Sequence, residues 1–138
     1  MSELQARPEV FHNQPCLRLS HPCGDSVLVA LHGAHILSWT SGGQERLYLS
    51  PLAILDGQAA IRGGVPLCFP QFNMRGTLPK HGFARTSAWT EVPAEEALEL
   101  QLCSSPATLA LWPHAFTATL RVEIAPGTPP HVQAAVER

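Results

Sequence analysis

The sequence predicts an all-β fold of the sandwich type, because short stretches with strand periodicity alternate with turns rich in glycine and proline. The chain has 138 residues, of which 10 are glycine and 13 are proline. We find no long amphipathic helical pattern, internal repeat or low-complexity segment. We therefore expect a single domain over residues 1–138. The strand predicted at its end lacks a later partner, so we expect the domain to be incomplete.

The second half of the chain shows the clearest strand pattern. From Ala97 to Cys103 and from Phe116 to Ile124, apolar and polar residues alternate with a period of two, which predicts half-buried antiparallel strands. A turn over residues 125–130 precedes a last strand that starts at about His131. The apolar side chains on one side of that strand are Val132, Ala134 and Val136.

Shorter strands are predicted in the first half. Ser26–Leu31 and His35–Trp39 are two apolar runs on either side of Gly33, and we interpret them as neighbouring strands. A weaker alternation predicts a strand at Cys16–Ser20, and Arg46–Leu49 gives another short one before Pro51.

Composition excludes several classes of partner. The formal net charge is −2, with 45% hydrophobic and 14% charged residues, and no basic run or face is present. Nucleic acid and anionic membranes are therefore not expected as partners. The polar N-terminus does not resemble a signal peptide, so we expect a cytoplasmic protein, and we expect it to be a monomer.

Neither the cysteines nor the histidines predict a metal site. The four cysteines are far apart without a C-x-x-C pattern, which favours reduced thiols. His32 and His35 lie three positions apart, and on an extended strand such positions face opposite sides of the sheet. We therefore expect structural or exposed histidines and no metal site.

The segment Ile61–Arg85 is the candidate functional site. It contains the cationic residues Arg62, Lys80 and Arg85 together with His81, and it contains no carboxylate. Its glycines permit tight turns and its prolines stiffen the loops, so the polar groups would be presented on a rigid segment. This composition predicts an anion-binding site.

Several motifs in this region carry a family resemblance. IRGG, CFPQF and HGFAR follow one another within residues 61–85, with GAHILSW and YLSP before them and WPHAF after them. In this order the motifs resemble the aldose 1-epimerase-like family, and within it the glucose-6-phosphate 1-epimerases. The resemblance extends from about Ser26 to Ile124. It implies a galactose mutarotase-like β-sandwich, of which the chain would be the N-terminal portion.

The resemblance also implies a reaction. Such enzymes interconvert the α and β anomers of hexose 6-phosphates by opening the sugar ring with a general acid and a general base, without a cofactor. The family's acid is a histidine and its base a glutamate, and both are expected beyond Arg138. His114 and His131 do not match the catalytic histidine, so no catalytic residue is expected within this chain.

Four residues are expected to bind the substrate, three of them because they match the family. Arg62 and Arg85 match arginines that bind the phosphate, for which a guanidinium fork is well suited. His81 matches a histidine that holds the sugar oxygens, and the nearby cations predict that it is neutral at pH 7. Lys80 stands where relatives tend to have glutamine, a departure that adds positive charge.

Aromatic residues near the motifs have two interpretations. Phe69 and Phe72 are placed to shape the pocket, whereas Phe83 is expected to pack inward. The tryptophans could stack on a sugar, but in a β-sandwich they are expected in the core. Two functions remain open: a hexose-6-phosphate mutarotase, or a shortened module that binds a sugar phosphate or a partner without turnover.

Overall fold

The structure is a computed structural model that describes residues 4–125 and 130–137. That part of the chain contains nine strands, one 3₁₀ helix and one short α-helix. In chain order these are β1 (Gln5–Phe11), β2 (Gln14–Ser20), β3 (Ser26–Ala30), β4 (His35–Ser41), β5 (Gln44–Glu45), the 3₁₀ helix (Ala84–Thr86), β6 (Thr90–Val92), β7 (Leu98–Cys103), α1 (Pro106–Leu111), β8 (Thr117–Glu123) and β9 (His131–Glu137).

Two antiparallel sheets organise these strands. The first sheet has the order β1-β2-β3-β4-β5 and the second has the order β6-β7-β8-β9. Buried side chains of both sheets belong to one hydrophobic cluster, so the sheets share a common core. The prediction of an all-β fold is confirmed.

The central strand β3 is buried on both faces. Val27 and Val29 belong to the core shared with the second sheet, where Leu100 is also buried. Leu28 and Ala30 point the other way, into a second hydrophobic cluster. Because successive side chains of a strand face opposite sides, a strand buried at every position needs a layer on each side.

A layer of loops covers the outer face of the first sheet. Ile61 is buried in the second cluster, and Leu49, Ala53 and Leu55 pack against it. The segment from 49 to 61 has little regular secondary structure, so its apolar side chains hold it on the sheet. This third layer carries the candidate site.

Most predicted strands are confirmed, and one is wrong. β3 pairs with β4, and β9 pairs with β8 so that the valines and Ala134 face the same side as the buried residues of β8. Arg46–Leu49 is not a strand; Gln44–Glu45 pairs with β4 instead, and Leu49 makes only an isolated bridge to Gly63. The predicted turn after Ala125 lies mostly outside the described residues.

The sequence analysis missed β1, β6 and α1. β1 is largely exposed and contains Pro8, so it shows no alternation, and it is held by pairing with β2 and by an ion pair between Glu9 and Arg18 at 2.7 Å. α1 is only six residues long and starts at a capping box formed by Ser105 and Thr108.

His32 and His35 contact the same segment of the loop layer, so the prediction that they face opposite sides is wrong. The chain turns over residues 31–34, and an extended geometry does not apply there. The His32 ring bonds to the Ala59 carbonyl at 2.8 Å, and the His35 ring bonds to the Gly63 carbonyl. Within residues 4–125 and 130–137, no group of three or more histidine, cysteine or acidic residues could hold a metal ion.

Gly63 and Gly64 allow the loop layer to touch the first sheet. Both have positive φ, at 100° and 63°, and the Gly64 N–H donates to the Tyr48 carbonyl at 2.7 Å. A Cβ atom at Gly64 would overlap the Ile36 carbonyl oxygen of β4. Only glycine therefore fits at this contact.

Replacing Gly64 tests this close contact. Gly64→Ala should lower the free energy of unfolding by more than the ~1–2 kcal/mol that an L-residue loses in left-handed backbone, because the added methyl also displaces Ile36. Gly43→Ala is the matched control: Gly43 has φ 76° but open space around its Cβ position. Urea unfolding measures both variants. Equal losses would contradict the contact.

His35 should make stability depend on pH. The side chain is 1% exposed, and burial lowers its pKa below the usual value of 6.5, outweighing the bond to Gly63, which raises it. Below about pH 6.5 the unfolded chain therefore binds more protons than the folded chain. The stability present above about pH 6.5 is thus lost progressively as the pH falls. Urea unfolding from about pH 7.5 to about pH 5.5 should show this decline, and His35→Gln should reduce its slope. An unchanged slope would contradict this assignment.

Candidate substrate-binding site

A cavity of about 400 Å³ lies in the loop layer, and three of the four predicted site residues line it. Arg62 belongs to the segment that starts at Ile61, and Lys80 and Arg85 belong to the segment that follows Pro79. The other lining residues are apolar or glycine: Leu52, Ile54, Ala59, Ala60, Ile61 and Gly63. The two arginines thus line one shared cavity.

The 3₁₀ helix Ala84–Thr86 positions Arg85. The indole N–H of the buried Trp89 donates to the Ala84 carbonyl at 3.0 Å and holds this turn against the core. The Arg85 side chain donates through Nη2 to the Lys80 carbonyl at 3.2 Å. Its Nε atom is buried without a hydrogen-bond partner, which leaves this guanidinium with unused donor capacity.

The cavity is electrically unbalanced. Neither a carboxylate nor an imidazole is among its lining residues in the described chain. Two arginines elsewhere are neutralised: Arg18 pairs with Glu9 at 2.7 Å, and Arg121 pairs with Glu99 at 3.3 Å. Three cations without an acid in the same wall create a positive potential that an anion would relieve.

His81 lies next to the cavity, not in its wall. The ring atom Nδ1 accepts a hydrogen bond from the Asn73 N–H at 2.8 Å. The backbone N–H of His81 donates to the Asn73 carbonyl at 3.0 Å. Desolvation, Arg85 and Lys80 lower the pKa of His81, which is the direction that the prediction of a neutral imidazole requires. Because Nδ1 is an acceptor, the proton of the neutral ring is on Nε2, which is available as a donor.

Gln71 organises the loop before His81, a role that the sequence analysis missed. Its buried amide accepts from the Leu78 N–H at 2.9 Å and donates to the carbonyls of Asn73 at 2.8 Å and Leu78 at 3.0 Å. One side chain therefore closes the loop from 71 to 79. A polar residue between two phenylalanines in CFPQF was the available signal.

The apolar wall of the cavity was also missed. Leu52 and Ile54 are 86% and 57% exposed yet line the cavity, in a run after Pro51 that the sequence analysis did not interpret. Large apolar side chains presented to solvent beside cations are typical of a binding site.

The predicted aromatic wall is partly wrong. Phe69 packs edge-on against Phe83, Trp112 and Phe116 at ring distances of 5.2–6.3 Å, so it belongs to the core and not to the cavity. Phe83 packs inward, as predicted. Phe72 is exposed and lies 5.2 Å from the His81 ring, outside the cavity wall.

None of the helices in the described residues is long and apolar enough to cross a bilayer.

Comparison with characterised sequences identifies relatives over most of the chain. The family model described as "Aldose 1-epimerase" matches residues 15–134. Proteins named "Putative glucose-6-phosphate 1-epimerase" from Cenchrus ciliaris and Escherichia coli are 39% identical over 109 residues and 45% identical over 96 residues. These matches cover 71% and 64% of this chain, which spans about a third (33%) of the length of each relative.

Solved structures agree with the fold. The Salmonella typhimurium protein YeaD is 33% identical with a TM-score of 0.72, over 91% of this chain and 45% of that protein. A galactose mutarotase related enzyme of Lactobacillus acidophilus shares the fold at 18% identity and a TM-score of 0.61, over 88% of this chain and 39% of the other. The predicted mutarotase-like sandwich is confirmed, and the chain belongs to the aldose 1-epimerase family.

Proposed function

We propose that the chain supplies the phosphate-binding part of a mutarotase that interconverts the α and β anomers of hexose 6-phosphates. The observation that carries this proposal is the cavity with three cations and no acid, in a member of an epimerase family. The relatives named for glucose 6-phosphate support the choice of substrate.

The size and lining of the cavity suit a phosphorylated sugar. A volume of about 400 Å³ lies in the range of small-molecule sites, which is about 300–1,000 Å³. The cations would face the phosphate, and the apolar wall formed by Leu52 and Ile54 would cover the less polar face of the sugar. Both ends of a hexose 6-phosphate thus have a complementary surface.

Each polar residue has a proposed role. The guanidinium forks of Arg62 and Arg85 would donate pairs of hydrogen bonds to phosphate oxygens, and Lys80 would add charge without a fixed geometry. His81, through its Nε2–H, would donate to a sugar hydroxyl at the edge of the cavity. These roles are binding roles.

Ring opening needs proton transfer at two positions. A base removes the proton of the C1 hydroxyl while an acid protonates the ring oxygen, and the two groups exchange roles on closure. The cavity wall contains only cations and apolar groups, none suited to that exchange near neutral pH. We therefore propose that the acid and base come from outside the described residues.

The lack of an acid and a base among the described residues of the cavity wall also favours a second candidate function, which is binding without turnover. A chain that spans about a third of its relatives and has no acid-base pair in its cavity wall would bind sugar phosphate without turnover.

Removing Arg85 tests the phosphate role. Arg85→Ala should weaken binding of glucose 6-phosphate by about 1.5–3 kcal/mol, because a charged hydrogen bond is lost, while binding of glucose should change little. Arg75→Ala is the matched control, since Arg75 lies in the same segment but does not line the cavity. Titration calorimetry gives both affinities. Equal losses for the two sugars would contradict the phosphate role.

An anomerisation assay separates the two candidates. If the chain is catalytic, it should speed the decay of optical rotation of fresh α-glucose 6-phosphate above the buffer rate in proportion to protein concentration. If it only binds, calorimetry should show an affinity while the decay stays at the buffer rate. Absence of binding would reject both candidates.

A further inference from the structure

We propose that His32 and His35 are positioning residues that fix the Arg62 segment in its binding position. The proposal rests on the proposed function in one respect, since it assigns Arg62 to the phosphate. The tether itself is a property of the fold, and it can be measured without a ligand.

The two imidazoles hold both ends of one short segment. His32 Nε2 lies 2.8 Å from the Ala59 carbonyl oxygen, and His35 Nε2 bonds to the Gly63 carbonyl oxygen. Arg62 lies between these two carbonyls, and both Ala59 and Gly63 line the cavity. A shift of either end would therefore move the guanidinium relative to the other cations.

The chemistry of the contacts fixes the tautomer of His35. A carbonyl oxygen can only accept, so the ring must carry its proton on Nε2. Its Nδ1 atom is buried without a partner, and the side chain is 1% exposed, so no solvent supports a second proton there. His35 is therefore a neutral donor with one available partner.

Other hydrogen bonds also hold the segment: the Ala59 N–H donates to the Asp56 carboxylate at 2.9 Å, and backbone bonds join the segment to residues 48–50. The Ser50 N–H donates to the Arg62 carbonyl at 3.1 Å, and the Gly64 N–H donates to the Tyr48 carbonyl at 2.7 Å. The Ser50 amide bonds to Arg62 within the tethered segment, and the Gly64 amide directly follows that segment. Their hydrogen exchange therefore reports whether the segment stays in place.

A simple core role for His35 predicts a different result. If the ring served only to fill space, phenylalanine at this position would preserve amide protection and ligand binding, and glutamine would not. If its N–H is what matters, glutamine should replace it, because the side-chain amide can place a donor near the position of Nε2. The same reasoning applies to His32, which is 7% exposed.

The experiment compares phenylalanine and glutamine at each position in the full chain. His35→Phe and His32→Phe should accelerate exchange of the Ser50 and Gly64 amides by about tenfold and weaken glucose 6-phosphate binding by a similar factor, the loss expected for one hydrogen bond. His35→Gln and His32→Gln should restore both properties to near wild type. His131→Gln on β9 is the matched control and should change neither, and amides of β8 should exchange normally in every variant.

Three results would overturn the proposal. The first is unchanged exchange at Ser50 and Gly64 in the phenylalanine variants. The second is a glutamine variant that behaves like phenylalanine while its β8 amides stay protected. The third is a ¹⁵N spectrum of wild-type His35 that shows the Nδ1–H tautomer, a measurement that still decides if His35→Phe does not fold.

Failure of the proposed function gives a different pattern. Wild-type protein would then bind neither glucose 6-phosphate nor inorganic phosphate, while amide exchange in the variants would still decide whether the tether exists.

Discussion

The contact between the Ile61–Gly64 segment and β4 is the constraint on which the site depends. Gly64 lies so close to the Ile36 carbonyl that a Cβ atom would not fit, and Ile61 is buried in the cluster beneath. This contact brings the loop layer onto a sheet that is already covered on its other face. The cavity wall is therefore anchored to the packed interior through Ile61, although most of its residues are at least partly exposed and in irregular structure.

Most hydrogen bonds that hold the cavity loops come from uncharged groups, whereas the cavity wall is cationic. Backbone carbonyls, the Gln71 amide, the Trp89 indole and the His35 imidazole are examples, and the Asp56 carboxylate, which accepts from the Ala59 N–H, is an exception. A carboxylate would stabilise the cations better, but it would also occupy them and repel an anion. Neutral donors and acceptors fix the geometry without cancelling the charge. An anionic ligand would therefore stabilise the protein as well as bind to it.

Much of the fold and of the site followed from local patterns. In β7 and β8 apolar and polar side chains alternate, so that one face of each strand is buried and the other is more exposed to solvent. This alternation predicts strands directly. The cations were found because Arg62, Lys80 and Arg85 lie in one segment without an acid. Their meeting in one cavity was expected from the resemblance, not from spacing.

The parts that were not predicted depend on long-range contacts. β1 has no apolar alternation and forms only because β2 provides a partner, and Phe69 joins the core because Trp112 and Phe116 come to it from far along the chain. The turn at 31–34, which directs His32 and His35 to one segment, has no period for a sequence pattern to reveal.

The bond between Arg85 and Lys80 has a consequence for how such a site can change. The acceptor is the main-chain oxygen of Lys80, and Lys80 also lines the cavity. Every amino acid has that oxygen, so an exchange at position 80 alters the local charge and leaves the aim of the arginine intact. Substitution at position 80 would therefore change the charge of the cavity wall without removing the hydrogen-bond acceptor of Arg85.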